Sequence, residues 1–125
     1  MEPNKSILII DDSSTNVVLL DAVLNEKGYR IETALCVKDA LAILEKETPD
    51  LIILDLLMPK INGYDFLSKL RSESSTKQIP VIIVSAVSEP EDIKKAVGFG
   101  VVEFVHKPVD IQHITELVDA VFISK

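Results

Sequence analysis

Leu51-Ile52-Ile53-Leu54 is a run of four large apolar side chains, and the residue that closes it is Asp55. Successive side chains of a strand point to opposite faces of a sheet, so a strand with no polar position has both faces covered. That is the condition of an interior strand in a parallel sheet flanked by helices. The same pattern recurs in Ile7-Leu8-Ile9-Ile10, closed by Asp11, and in Val81-Ile82-Ile83-Val84, closed by Ser85. Two further segments read differently. Tyr29-Arg30-Ile31-Glu32-Thr33 alternates, and the fifth apolar run is interrupted by Glu103, so both suit the edges of the sheet. The expected strands are 6–10, 29–33, 51–54, 81–84 and 101–105.

Amphipathic stretches lie between these runs. Val37, Ala40, Leu41 and Leu44 recur at helical spacing, as do Ile111, Ile114, Leu117, Val118, Val121 and Phe122, so each segment has one face to bury. Gly28 suits the end of the first helix. Ser88 with Glu91 spells a capping box with Pro90 in the first turn of the fourth helix, and Asp110 is placed to cap the last. Five strand–helix units with apolar first, third and fourth strands give an α/β chain with a parallel sheet in the order 2-1-3-4-5. This is the flavodoxin-like doubly wound (βα)5 arrangement, read as one domain over residues 1–125. Ligands of such folds gather beyond the carboxyl ends of the strands, where the strand order reverses.

Composition excludes several classes of function. Of 125 residues, 47% are hydrophobic and 26% charged, ordinary globular usage. Twenty acidic against thirteen basic residues give a net charge of −7, which opposes attraction to nucleic acid or anionic lipid, so neither direct nucleic-acid binding nor membrane binding is expected. No apolar run approaches the roughly 18 residues needed to span a bilayer, and residues 1–6 are too short and polar for a signal peptide; a soluble cytoplasmic protein is expected. The lone Cys36 excludes an intrachain disulfide and reads as a small packing residue near a helix start.

Chemistry-bearing residues sit where the fold places a ligand. Asp11 and Asp12 follow the first strand, Asp55 the third, Ser85 the fourth and Lys107 the fifth. Taken singly, an aspartate or serine there is a helix cap and a lysine a solvated charge. Taken together, five such residues on one edge of one sheet are a site. Three converging carboxylates repel one another unless a cation neutralises them, and hard oxygen ligands of this kind suit Mg²⁺. Lys107 and Ser85 could meet the oxygens of a phosphoryl group.

On these residues the chain resembles the response-regulator receiver family, over residues 6–122. Asp11-Asp12 resembles the family's metal-binding pair, and Asp55-Leu56-Leu57-Met58-Pro59-Lys60-Ile61-Asn62-Gly63 matches its D-x-x-M-P-x-x-x-G pattern around the phosphoacceptor. Ser85-Ala86 matches the switch hydroxyl with its small neighbour, and Lys107-Pro108 the K-P pair. The resemblance implies that Asp55 takes a phosphoryl group from a sensor histidine kinase or a histidine phosphotransfer protein. It implies that Asp12, Asp55 and the backbone carbonyl of Leu57 ligate Mg²⁺ directly, with Asp11 acting through water. Lys107 would pair with the acceptor and then its phosphate, and the Lys107–Pro108 peptide would be cis. Gly63 would answer a tight backbone requirement where the loop enters the third helix. Such a protein catalyses its own phosphorylation and dephosphorylation. Leu57 and Val87, both apolar, would border the path of attacking water and slow the second step.

The same resemblance implies a route for the signal. Ser85 moves inward, the aromatic at Phe104 swings, and the surface of the fourth helix, fifth strand and fifth helix changes. That surface would bind a downstream target or output domain, or a second copy as a homodimer, with Lys94, Lys95 and Glu103 at the contact. The fourth helix has a thin apolar face, Ile93, Ala96 and Val97, which suits an element that shifts. Phe104 has no hydroxyl, which loosens the coupling expected of it. His106 and His113 read as surface residues.

Three rival readings differ at identifiable positions. A phosphatase of the haloacid dehalogenase type needs a second aspartate two residues after the first, where Leu57 stands. A mononucleotide binder needs a Ser/Thr/Gly-rich loop after the first strand, where Asp11 and Asp12 would repel the phosphate. A receiver used as a phosphorylation-independent binding module would not need the acidic set.

Overall fold

A computed structural model describes residues 5–58, 61–86 and 89–123. The elements, in chain order, are β1 (Ser6–Ile10), α1 (Ser14–Glu26), β2 (Arg30–Ala34), α2 (Val37–Lys46), β3 (Leu51–Leu54), β4 (Leu57–Met58), β5 (Ile61–Asn62), α3 (Gly63–Ser72), β6 (Val81–Ser85), α4 (Pro90–Val97), β7 (Glu103–His106) and α5 (Ile111–Ile123). β4 and β5 form a two-stranded antiparallel ribbon inside the loop before α3, with Leu57 opposite Asn62. The other five strands make one parallel sheet in the order β2-β1-β3-β6-β7. Numbered without the ribbon, that is 2-1-3-4-5, with the alternating strand and the Glu103 strand at the two edges.

The unbroken apolar strands earn their central places by having two cores to fill. Leu8, Ile10, Ile52, Leu54, Val81 and Ile83 face one way and pack with Val37, Ala40, Phe66, Leu67 and Ala96 of α2, α3 and α4. Ile7, Ile9, Leu51, Ile53, Ile82 and Val84 face the other and pack with Val17, Leu20 and Leu24 of α1 and Ile114, Val118 and Val121 of α5. Each fully buried aliphatic side chain stabilises the fold by about 1.5–3 kcal/mol, so a one-residue slip of the pairing, which exchanges the faces, is strongly disfavoured.

Helix ends follow local chemistry. The Ser13 hydroxyl caps α1 by accepting from the Asn16 amide N–H at 3.3 Å. Gly28, at φ +99°, turns the chain out of α1 as expected. The Asp110 carboxylate accepts from the His113 amide N–H at 3.2 Å and so caps α5.

Four expectations need correction. The second strand starts at Arg30 and runs to Ala34, one residue late, because its register is set by Ser6 opposite Arg30. The fifth starts at Glu103: Gly100 takes φ +77°, and the Val102 amide bonds the Val81 carbonyl before regular pairing begins. Cys36 is exposed at the N-cap of α2, in extended backbone, and Val37 after it takes the packing place. Val97 is 49% exposed, so α4 packs through Ala96 and the half-buried Ile93 alone. The capping box drawn from Ser88 lies outside the described residues; the residue before Pro90 that caps α4 is Glu89, which makes no side-chain cap bond.

Candidate functional site

The register of the sheet brings the site together. Ile10 pairs with Leu54, so the next residues, Asp11 and Asp55, leave adjacent strands side by side. The Asp55 amide still bonds the Ile10 carbonyl at 2.9 Å, and the Asp11 amide bonds the Ala34 carbonyl at 3.1 Å. Across the sheet, Ser85 pairs with His106, and the Lys107 amide bonds the Ser85 carbonyl at 3.0 Å. Each side chain therefore projects from the last rung of a rigid ladder, where positions are set more tightly than on a free loop.

The geometry is that of one ammonium shared by two buried carboxylates. Lys107 Nζ lies 3.0 Å from Asp55 Oδ2 and 3.1 Å from Asp11 Oδ2. Asp55 and Asp11 are each 3% exposed and Ser85 fully buried, while Asp12 is open to solvent. Burial pushes the Lys107 ammonium down, but its hydrogen bonds to Asp55 and then Asp11, with their negative charge, outweigh that, and the net shift is upward.

One oxygen of each of Asp11, Asp12 and Asp55 lies within 4.8 Å of the others. Three ionised carboxylates against one ammonium leave two negative charges in a small volume, and these oxygen donors fit a hard divalent cation. Asp11 is already well supplied with donors. Its Oδ1 accepts from the Ser13 amide N–H at 2.9 Å, and its Oδ2 takes Lys107 and, at 3.5 Å, the Asn16 side-chain amide.

The structure thus brings Asp11, Asp12, Asp55 and Lys107 together and sets Ser85 on the neighbouring strand, as expected. The Lys107–Pro108 peptide is cis. Phe104 is half-buried, its ring 5.0 Å from that of the exposed His106. Leu57 stands in the ribbon just beyond Asp55; its side chain, Gly63's surroundings and Val87 lie outside what is described. The sequence reading missed Ser13 and Asn16. Their signal was present: a serine directly before an apolar-periodic run is an N-cap, and that cap turns an amide N–H toward Asp11.

The chain is similar to known proteins over most of its length. PilH of Pseudomonas aeruginosa is 33% identical over 115 residues, covering 92% of this chain and 95% of its own. The response regulator PleD of Caulobacter vibrioides is 36% identical over 104 residues, 83% of this chain, but the chain spans only 23% of PleD. The solved structure of a response regulator receiver protein from Pseudomonas putida superposes with a TM-score of 0.90 at 27% identity, covering 96% of this chain and 99% of that one. The model of the response regulator receiver domain matches residues 7–119. With that match running over most of its length, and with the fold shared with solved receiver structures, the chain belongs to the response regulator receiver domain family.

Proposed function

We propose that Asp55 is the phosphoacceptor and that Asp11, Asp12 and Lys107 make its phosphorylation possible. The observation that carries this is the buried Asp55 carboxylate, held directly after the end of β3, bonded to Lys107 and grouped with two further carboxylates. An ionised carboxylate needs no general base to attack phosphorus. The work left to the protein is positioning and neutralisation of charge on the transferring group. Lys107 already reaches Asp55 and can follow its oxygens onto a phosphate. Ser85, buried one strand away, can donate its hydroxyl to the same group.

Mg²⁺ fits the acidic set. Asp12, Asp55 and the Leu57 backbone carbonyl would hold it directly, and Asp11, whose oxygens already accept from Ser13, Lys107 and Asn16, would act through water. When bound it supplies positive charge to the phosphoryl oxygens. Ser85 and Phe104 then carry the change to α4, β7 and α5, whose exposed Lys94, Lys95 and Glu103 are available to a target, an output domain or a second copy. The phosphodonor is a sensor histidine kinase or a histidine phosphotransfer protein. The chain works in the cytoplasm as one receiver domain; among the described residues no helix is long and apolar enough to cross a membrane.

Acetyl phosphate with Mg²⁺ should add one phosphoryl group to the chain, seen by intact mass, and Asp55→Asn should not be labelled. Equal labelling of Asp55→Asn would overturn the assignment. A correctly folded wild type that takes no label, with or without Mg²⁺, would instead favour the phosphorylation-independent binding module.

A further inference from the structure

α4 is thinly packed: of its eight residues only Ala96 is buried. It is nevertheless tied to α3 at both ends. At its start, the Tyr64 phenol in the first turn of α3 donates to the Asp92 carbonyl at 3.1 Å. One helical step on, Lys95 lays its ammonium 4.7 Å from the centre of the Tyr64 ring. At the far end, Arg71 in the last turn of α3 donates from Nε to the Phe99 carbonyl at 2.8 Å and from Nη2 to the Gly100 carbonyl at 3.5 Å. Its Nη1 holds the Lys77 and Ile79 carbonyls at 3.2 and 2.8 Å.

The two ties differ in strength. Arg71 is a charged donor bonded to four backbone carbonyls, anchored on both the chain leaving α3 and the chain leaving α4. Tyr64 offers α4 one neutral hydrogen bond at an exposed site and one exposed cation–π contact, both weak. Opening should therefore begin at the Pro90 end, which is the end that the chain from Ser85 enters, while the Gly98–Gly100 end stays clamped.

We infer that Tyr64 and Lys95 form a latch that holds α4 in its resting position about a pivot at Arg71, so that the latch opposes phosphorylation. A contact made only in the resting state lowers the affinity of any ligand that favours the other state by the factor through which it biases the two populations. The inference rests on the reading that a phosphoryl group on Asp55 displaces α4.

Two variants test it. Tyr64→Phe keeps the ring that Lys95 covers and removes the hydroxyl that bonds the Asp92 carbonyl; Lys95→Met keeps the stem and removes the charge. Each should raise amide exchange over residues 93–97 in the free protein and tighten Mg²⁺-dependent beryllofluoride binding by about three- to tenfold. Beryllofluoride affinity equal to or weaker than wild type in both folded variants would overturn the latch. If wild type itself binds no beryllofluoride, the Asp55 reading has failed separately; amide exchange then decides, and wild-type exchange in both variants overturns the latch.

Discussion

Lys107 is the residue on which the site balances. Its ammonium pairs with both Asp11 and Asp55, so it would compete with a metal for the same carboxylates. Removing it should therefore separate two effects that look alike in an activity assay. We expect Lys107→Ala to bind Mg²⁺ about fivefold more tightly or better, since a unit charge a few ångströms away is worth about 1 kcal/mol even in bulk water. The same variant should take phosphate from acetyl phosphate about 100-fold more slowly, because a preorganised donor to the transferring group is gone. Calorimetric Mg²⁺ titration and intact-mass kinetics read the two separately; weaker Mg²⁺ binding would mean that Lys107 organises the carboxylates more than it competes for them. The upward shift of Lys107 sets the pH frame. Its bridge contributes fully below the ordinary lysine value of about 10.4 and is lost only as pH rises through the higher folded value, so neutral buffers do not perturb it.

At the scale of elements, α1 couples the site to the fold by its two ends. Ser13 caps the helix with its hydroxyl and, through its backbone N–H, holds Asp11. Gly28 closes the other end at φ +99°, with nothing within 4 Å of where a Cβ would stand, so a substitution there meets backbone strain alone. Gly28→Ala should cost about 1–2 kcal/mol and Ser13→Ala about 1 kcal/mol, both read by urea unfolding. Neither should change Mg²⁺ affinity, because the N–H that reaches Asp11 survives in Ser13→Ala. A loss of metal binding in that variant would show that the hydroxyl, not the backbone, orders the loop.

Across the whole molecule, distant parts of the chain are joined below the sheet by a small polar cluster. Lys27, at the end of α1, pairs with Asp119 of α5 at 2.8 Å, and the Tyr29 hydroxyl donates to the same carboxylate while its ring packs against Phe122. Burial pushes the Asp119 carboxyl up, but hydrogen bonds from Lys27 and Tyr29 and the Lys27 charge carry it below its ordinary value. Burial first, then the Asp119 bond and charge, raises the Tyr29 phenol. A lowered carboxylate adds stability above its unfolded pKa and loses it as pH falls through the folded one. Asp119→Asn should therefore be less stable than wild type at pH 7 by about 1 kcal/mol. The gap should close at pH values below the usual carboxylate range. A gap that stayed constant down to pH 2 would mean that the side chain acts by shape, not charge.

What the amino-acid order determined by itself was the class, the topology and the sheet edge at which the acidic residues gather. Three strands without a polar position can only be interior, and the residues closing them can only gather at one edge, so the convergence of Asp11, Asp55 and Ser85 is legible in the sequence. Caps written within three residues, Gly28 and Asp110, were legible for the same reason: both partners lie in one short segment. Only the tertiary structure decided the rest. Whether Val97 or Ile93 faces the core depends on how α4 rolls against the sheet, and a helix with one buried residue leaves that roll open in its sequence. The link from Tyr64 to Asp92 and Lys95, and those from Arg71 to Phe99 and Gly100, join segments more than 25 residues apart. No periodicity within either segment encodes such contacts, because they exist only once the sheet has set α3 beside α4.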